Sequence, residues 1–180
     1  MSVVLIGFKG AGKSTVGPFL AERLGFLFDD LDRRIEAAAA EQLGESVTFR
    51  ESYRRLGPAA FRELERRLLQ KALAEEGLVL ALGGGAALGP EAVEVLRPHC
   101  VAYLRVPEAD LVRRARESGW PAFLDGEADP EGALRRTLAE RLPRYEAIAD
   151  VVVDNPDGSD PARLAGEVAR QVLLWRKAPR

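Results

Sequence analysis

The chain has one cysteine in 180 residues, so no disulfide can staple the fold from within, and a reducing, cytoplasmic compartment is expected. No apolar run approaches the ~20 residues of a membrane-spanning helix. The opening MSVVLIG also lacks the basic flank and long apolar stretch of a secretory signal. Neither sign of charge dominates: 26 basic residues against 28 acidic ones leave a net charge of -2. Neither nucleic acid nor an acidic membrane is therefore expected as a partner. The lone histidine, His99, precedes an apolar run beside Cys100 and reads as structural, and Cys100 as a small buried residue.

What is present is the balance of a globular protein, 47% apolar and 30% charged, and the length suits one well-cored domain over 1–180. Short apolar runs at 3–6, 26–30, 78–82, 100–105 and 151–154 alternate with segments of helical period. That alternation predicts an α/β fold, a five-stranded parallel sheet with helices on both faces. Gly57-Pro58 is read as a helix start, with Phe61, Leu64, Leu68 and Ala72 on one face and Gly77 as its stop, giving a helix over 58–76. Pro107, Pro130 and Pro161 are placed in first turns, the last two behind Asp129 and Asp160 as N-caps. Leu164, Val168, Val172 and Trp175 form the packed stripe of the last helix. Two regions depart from the alternation. Residues of about 32–60 read as a helical insertion, and 115–130, ARESGWPAFLDGEADP, as a loop over a site.

The strongest motif is GFKGAGKST, Gly7 to Thr15, between the first apolar run and a helical segment. It matches G-x-x-x-x-G-K-[ST] at Gly7, Gly12, Lys13 and Ser14, the loop whose inward-turned amides and helix N-terminus cradle phosphates. Lys13 is expected to reach the β- and γ-phosphates and the Ser14 hydroxyl to ligate Mg²⁺. Asp30 and Asp32 follow at the end of the second run. If the strand stays extended, both carboxylates point to one side, one supporting Mg²⁺ through water and the other activating an acceptor hydroxyl. The alternative is that they cap a helix. Arg62 and Glu65 stand at i and i+3, where a surface ion pair is the bland reading. Gly83, Gly84 and Gly85 follow the third run, and three consecutive glycines fit close backbone approach to a ligand.

Taken together these residues, with ERLPRYEAIAD from Glu140 to Asp150, resemble shikimate kinase, a P-loop NTPase related in fold to the nucleoside monophosphate kinases. The resemblance covers nearly the whole chain. It implies ATP and shikimate as partners, Mg²⁺ as cofactor, a monomer, and γ-phosphoryl transfer to the 3-hydroxyl of shikimate. Gly10, Ala11, Gly12, Lys13, Ser14, Thr15 and Arg114 would bind ATP, with the segment after Asp154 as the other wall around adenine. Ser14 and Asp30 would serve the metal. Asp32, Arg62, Gly83, Gly84 and Arg141 would bind shikimate, the arginines by forked contact with its carboxylate. Residues of about 32–60 would form the substrate-binding insertion and 115–130 the lid.

One departure stands out. The family's lid carries an arginine before a proline, expected to touch the transferring phosphate, and here Trp120 precedes Pro121. Lys13, Asp32 and Arg116 are the catalytic set expected from the sequence, with Arg116 swinging in for the missing arginine. The other readings are a kinase of another polyol acid such as gluconate, or a nucleotide-binding protein with impaired catalysis.

Overall fold

The computed structural model describes residues 1–178. Five strands form one parallel sheet in the order β2-β3-β1-β4-β5. They are β1 (Val3–Ile6), β2 (Leu27–Asp30), β3 (Leu78–Ala81), β4 (Cys100–Arg105) and β5 (Val151–Asp154). The central strands are apolar throughout because helices cover both sides: every residue of β1 and β3 is buried. Successive strands are joined by helical crossovers, and the right-handed rule sets the face of each by the direction in which it runs along the sheet. α1 (Lys13–Leu24) and α7 (Pro161–Lys177) pack together against one face, while α3 (Phe49–Leu73), α4 (Pro90–Leu96) and α6 (Pro130–Ile148) lie on the other. α2 (Leu31–Leu43) packs on α3, and α5 (Glu108–Ser118) on α6.

Close contact between α1 and β2 depends on Gly17, since a Cβ there would stand 2.1 Å from the Phe28 ring. Asp129 and Asp160 cap α6 and α7 as expected, their carboxylates accepting from the Gly132 and Arg163 amides at 2.9 and 2.6 Å. Pro130 and Pro161 open those helices, whereas Pro107 is itself the N-cap of α5.

Three boundaries differ from expectation. β2 starts at Leu27 and β3 ends at Ala81, each one residue inside the apolar run. α3 begins at Phe49 rather than 58, because Thr48 and Glu51 form a reciprocal capping box: the Thr48 amide donates to Glu51 Oε2 at 2.8 Å, and the Thr48 hydroxyl accepts from the Glu51 amide at 3.3 Å. Gly57 is the break inside this helix, with φ 76° and ψ 162°, and Pro58 opens its second half. That half ends at Leu73, so Gly77, with φ 67°, turns the chain into β3 instead of stopping the helix.

His99 sits at the amino edge of the sheet, where its Nδ1 accepts from the Ser2 amide at 3.2 Å, and Cys100 is buried in β4. Among the described residues no helix is long and apolar enough to cross a membrane.

Candidate active site

Because all five strands run the same way, the loops after them gather at one edge of the sheet, the position at which open α/β folds bind ligands. The loop between β1 and α1 lies at its centre. Gly10 and Gly12 both hold φ of 84°, the left-handed conformation that turns successive amides inward. Lys13 is buried and donates to the carbonyls of Gly7 and Phe8 at 2.9 and 3.0 Å. Burial lowers its pKa to about 8, against the opposing pull of Asp32 and Asp30. Ser14 and Thr15 are exposed at the start of α1.

Two neighbours brace this loop. Arg114 on α5 donates to the Gly10 carbonyl at 2.6 Å and to Asp157 at 2.8 Å. Asn155, buried just after β5, donates its side-chain amide to the Ala11 carbonyl at 2.9 Å. A Cβ on Gly12 would stand 2.9 Å from that amide nitrogen, which leaves glycine as the residue that fits.

β2 ends at Asp30, and the strand does not continue: Asp30 is the N-cap of α2, and its Oδ1 accepts from the Asp32 amide at 3.0 Å. The expectation of two extended carboxylates is thereby corrected, because the capping bond turns the chain into a helix and separates the two roles. Asp30 Oδ2 accepts from the Ser14 hydroxyl at 2.6 Å. These paired oxygens fit a hard cation such as Mg²⁺, which takes oxygen ligands and draws the remainder from phosphate and water. Among the described residues no cluster of three His, Cys, Asp or Glu side chains could hold a metal.

Asp32, one helical residue further on, faces a cavity of about 450 Å³ bounded by the phosphate loop, α2, α3 and the lid segment. Its Oδ1 is buried and has no hydrogen-bond partner among the described residues. Desolvation, with the Asp30 charge second, raises its pKa to about 7 against the attraction of Lys13.

The glycine triplet forms the floor. A Cβ on Gly83 would stand 2.5 Å from Asp32 Oδ1, one on Gly84 3.4 Å from the Lys9 amide nitrogen, and one on Gly85 3.6 Å from Arg62 Nη2 and 4.0 Å from Arg141 Nη1. Asp32 therefore marks one end of the cavity and two guanidinium groups the other. Arg62 is held there by Glu65, which is buried and accepts from Nη1 at 2.5 Å, so the pair is more than a surface contact. The Arg141 guanidinium lies over the rings of Phe123, at 5.0 Å, and Phe8, at 5.9 Å. Buried Tyr145 donates its hydroxyl to the Gly84 carbonyl and fixes the triplet. Desolvation pushes its pKa up to about 12.

The segment over 115–130 rests across the mouth. Arg50 on α3 donates to the Trp120 carbonyl and to Asp125 Oδ1, both at 2.9 Å, and Arg54 donates to Asp125 Oδ2 at 2.5 Å. Phe123 meets Phe8 edge to face at 6.4 Å.

The structure thus brings together Asp32, Arg62, Gly83, Gly84 and Arg141 beside the loop of Gly10 to Thr15. It does not bring Arg116 to them. Arg116 is exposed on α5 and ion-paired with Glu131 on α6, its Nε donating at 2.8 Å, away from the cavity lining. Sequence reasoning passed over Lys9, Arg50, Phe123 and Asn155. Lys9 lay in plain view inside the phosphate motif, while the others needed the tertiary packing.

A phosphate loop, an unpartnered carboxylate and paired arginines at opposite ends of one cavity define a P-loop phosphotransferase acting on a small hydroxy acid. Comparison with known proteins makes this particular: the family model for shikimate kinase matches residues 9–175. The chain belongs to the shikimate kinase family. It is 42% identical to a shikimate kinase of Salinispora tropica over 92% of this chain and 94% of the relative. With a shikimate kinase of Thermobifida fusca the identity is 39%, over 94% and 93%. Among solved structures, shikimate kinase from Acinetobacter baumannii in complex with shikimate superimposes with a TM-score of 0.81 at 31% identity, covering 99% of this chain and 95% of that one.

Proposed function

We infer that the chain transfers the γ-phosphoryl group of ATP to the 3-hydroxyl of shikimate, giving shikimate 3-phosphate and ADP. The observation that carries this reading is the convergence of Arg62 and Arg141 on Gly85, with the free oxygen of Asp32 at Gly83. A ring bearing a carboxylate and hydroxyls fits between them. The forked guanidinium groups bind the carboxylate, and Asp32 accepts a hydrogen bond from the acceptor hydroxyl. Family membership and the similarity to a shikimate complex support shikimate over gluconate as acceptor, and a kinase over a binding protein.

The roles follow from position. The amides of Gly10 to Thr15 cradle the triphosphate, Lys13 reaches the β- and γ-phosphates, and Arg114 with Asn155 holds the loop in shape. Ser14, with Asp30 behind it through water, would hold Mg²⁺, which neutralises phosphate charge when bound. Asp32 takes the acceptor proton as its oxygen attacks phosphorus, a step suited to a carboxyl whose pKa lies near 7. Residues of about 32–60 bound the acceptor side, 115–130 cover it, and one chain supplies every part, in keeping with a monomer.

A coupled assay of ADP release with shikimate, quinate and gluconate tests the reading. Shikimate is expected to be the preferred acceptor, and activity confined to gluconate would overturn it.

A further inference from the structure

We propose that Lys9 is a catalytic residue, its ammonium contacting the phosphoryl group in flight and supplying the positive charge that Trp120 cannot. The inference rests on the shikimate kinase reading of the site.

Of the basic residues lining the cavity, Lys9 is the one that belongs to both halves of the machinery, at its outer rim. It lies inside the phosphate motif, its amide nitrogen packs on Gly84 of the acceptor floor, and its side chain lines the cavity that holds Asp32. The transferred group must pass between the phosphate loop and Asp32, and Lys9, exposed on that loop with Arg50 and Asp125 as its neighbouring charges, stands at the mouth of this passage.

Most of the other basic groups nearby are occupied, and Arg33, which also lines the cavity, stands on α2 outside the phosphate loop. Lys13, buried beneath the loop, is committed to the β- and γ-phosphates of the nucleotide. Arg62 and Arg141 stand at the carboxylate end beside Gly85. Arg50 is taken up by Trp120 and Asp125, and Arg116 by Glu131. Lys9 forms no hydrogen bond or ion pair with another described residue. Partial burial and then the Arg50 charge lower its pKa, while Asp125 offsets part of this. An ammonium so placed gains from an arriving anion.

In the step, the acceptor oxygen forms its bond to the γ-phosphorus and the bond from that phosphorus to the bridging oxygen of ADP breaks. The acceptor proton passes to Asp32, and ADP leaves with the bridging electron pair. Charge on the equatorial oxygens is where a fixed cation is most effective. Lys9 donates to one of them.

The test is Lys9→Met, made in wild type and beside Trp120→Arg, with Arg116→Ala as the competing variant. Wild-type turnover on shikimate is measured first, and its absence would overturn both the reading and the proposal. For Lys9→Met, kcat is expected to fall at least about 100-fold, with KM for shikimate changed by less than about threefold. By calorimetry, ADP affinity stays within about threefold, while affinity for ADP with aluminium fluoride, a mimic of the group in flight, falls about tenfold or more. Adding Trp120→Arg restores about tenfold or more of the lost kcat, since an arginine then returns to the lid. The proposal is overturned if Lys9→Met keeps kcat within about threefold of wild type. It also fails if ADP and its fluoride complex weaken equally, or if Arg116→Ala alone causes the loss.

Discussion

Gly83 and Asp32 are in contact without room for a side chain between them: a Cβ at 83 would stand 2.5 Å from Oδ1. Gly83→Ala is expected to push the carboxylate off its position. Steady-state kinetics should show kcat falling on the order of 100-fold, the scale of a displaced general base, with KM for ATP unchanged. An equal rise in both KM values with normal kcat would contradict this placement.

The pH profile follows from two groups. Activity needs Asp32 as the carboxylate, with a pKa of about 7, and Lys13 as the ammonium, with a pKa of about 8. kcat/KM for shikimate should rise through the first value and fall through the second, giving a narrow bell. In Asp32→Asn the residual activity should lose the acid limb and keep the alkaline one.

Stability should respond to the same carboxyl with a definite sign. The folded state raises the Asp32 pKa from 3.8 to about 7, so the unfolded chain gives up this proton first as pH rises. Its contribution to stability is complete below the unfolded value and is lost through the folded one, by as much as ~4 kcal/mol. Asp32→Asn removes that pH dependence. Thermal melts of variant and wild type should nearly coincide at acid pH and separate above neutrality, the variant melting higher.

Replacing Arg62 or Arg141 by lysine keeps the charge and loses the fork. KM for shikimate is expected to rise about ten- to 100-fold in either variant, because each forked contact contributes roughly 1.5–3 kcal/mol, while KM for ATP holds. Arg62→Lys should be the milder change if Glu65 can grip an ammonium in its place.

The nucleotide half of the site was largely legible in the chain, because a phosphate loop is local: its glycines, lysine and hydroxyls sit in one run of nine residues between a strand and a helix. The acceptor half was legible only through the family resemblance, which singles out Arg62, Gly83 and Arg141, because their convergence depends on α3, β3 and α6 meeting. The differences have clear physical sources. For Asp30 and Asp32 the sequence leaves an extended strand and a helix cap both open, and the cap prevails because the Asp30 carboxylate accepts from the amide two residues on. Pro58 does open a helix after the break at Gly57, but the helical length before it, started by the capping box of Thr48 and Glu51, goes unread in the sequence. Arg116 was chosen by nearness in sequence to the missing lid arginine; Glu131, 15 residues away on another helix, takes it instead.

The break at Gly57 divides α3 into two working lengths. Arg50 and Arg54 upstream grip the cover, while Arg62 and Glu65 downstream belong to the fixed floor. With a break between them, the residues that hold the cover and those that hold the acid group lie on separately oriented lengths of helix.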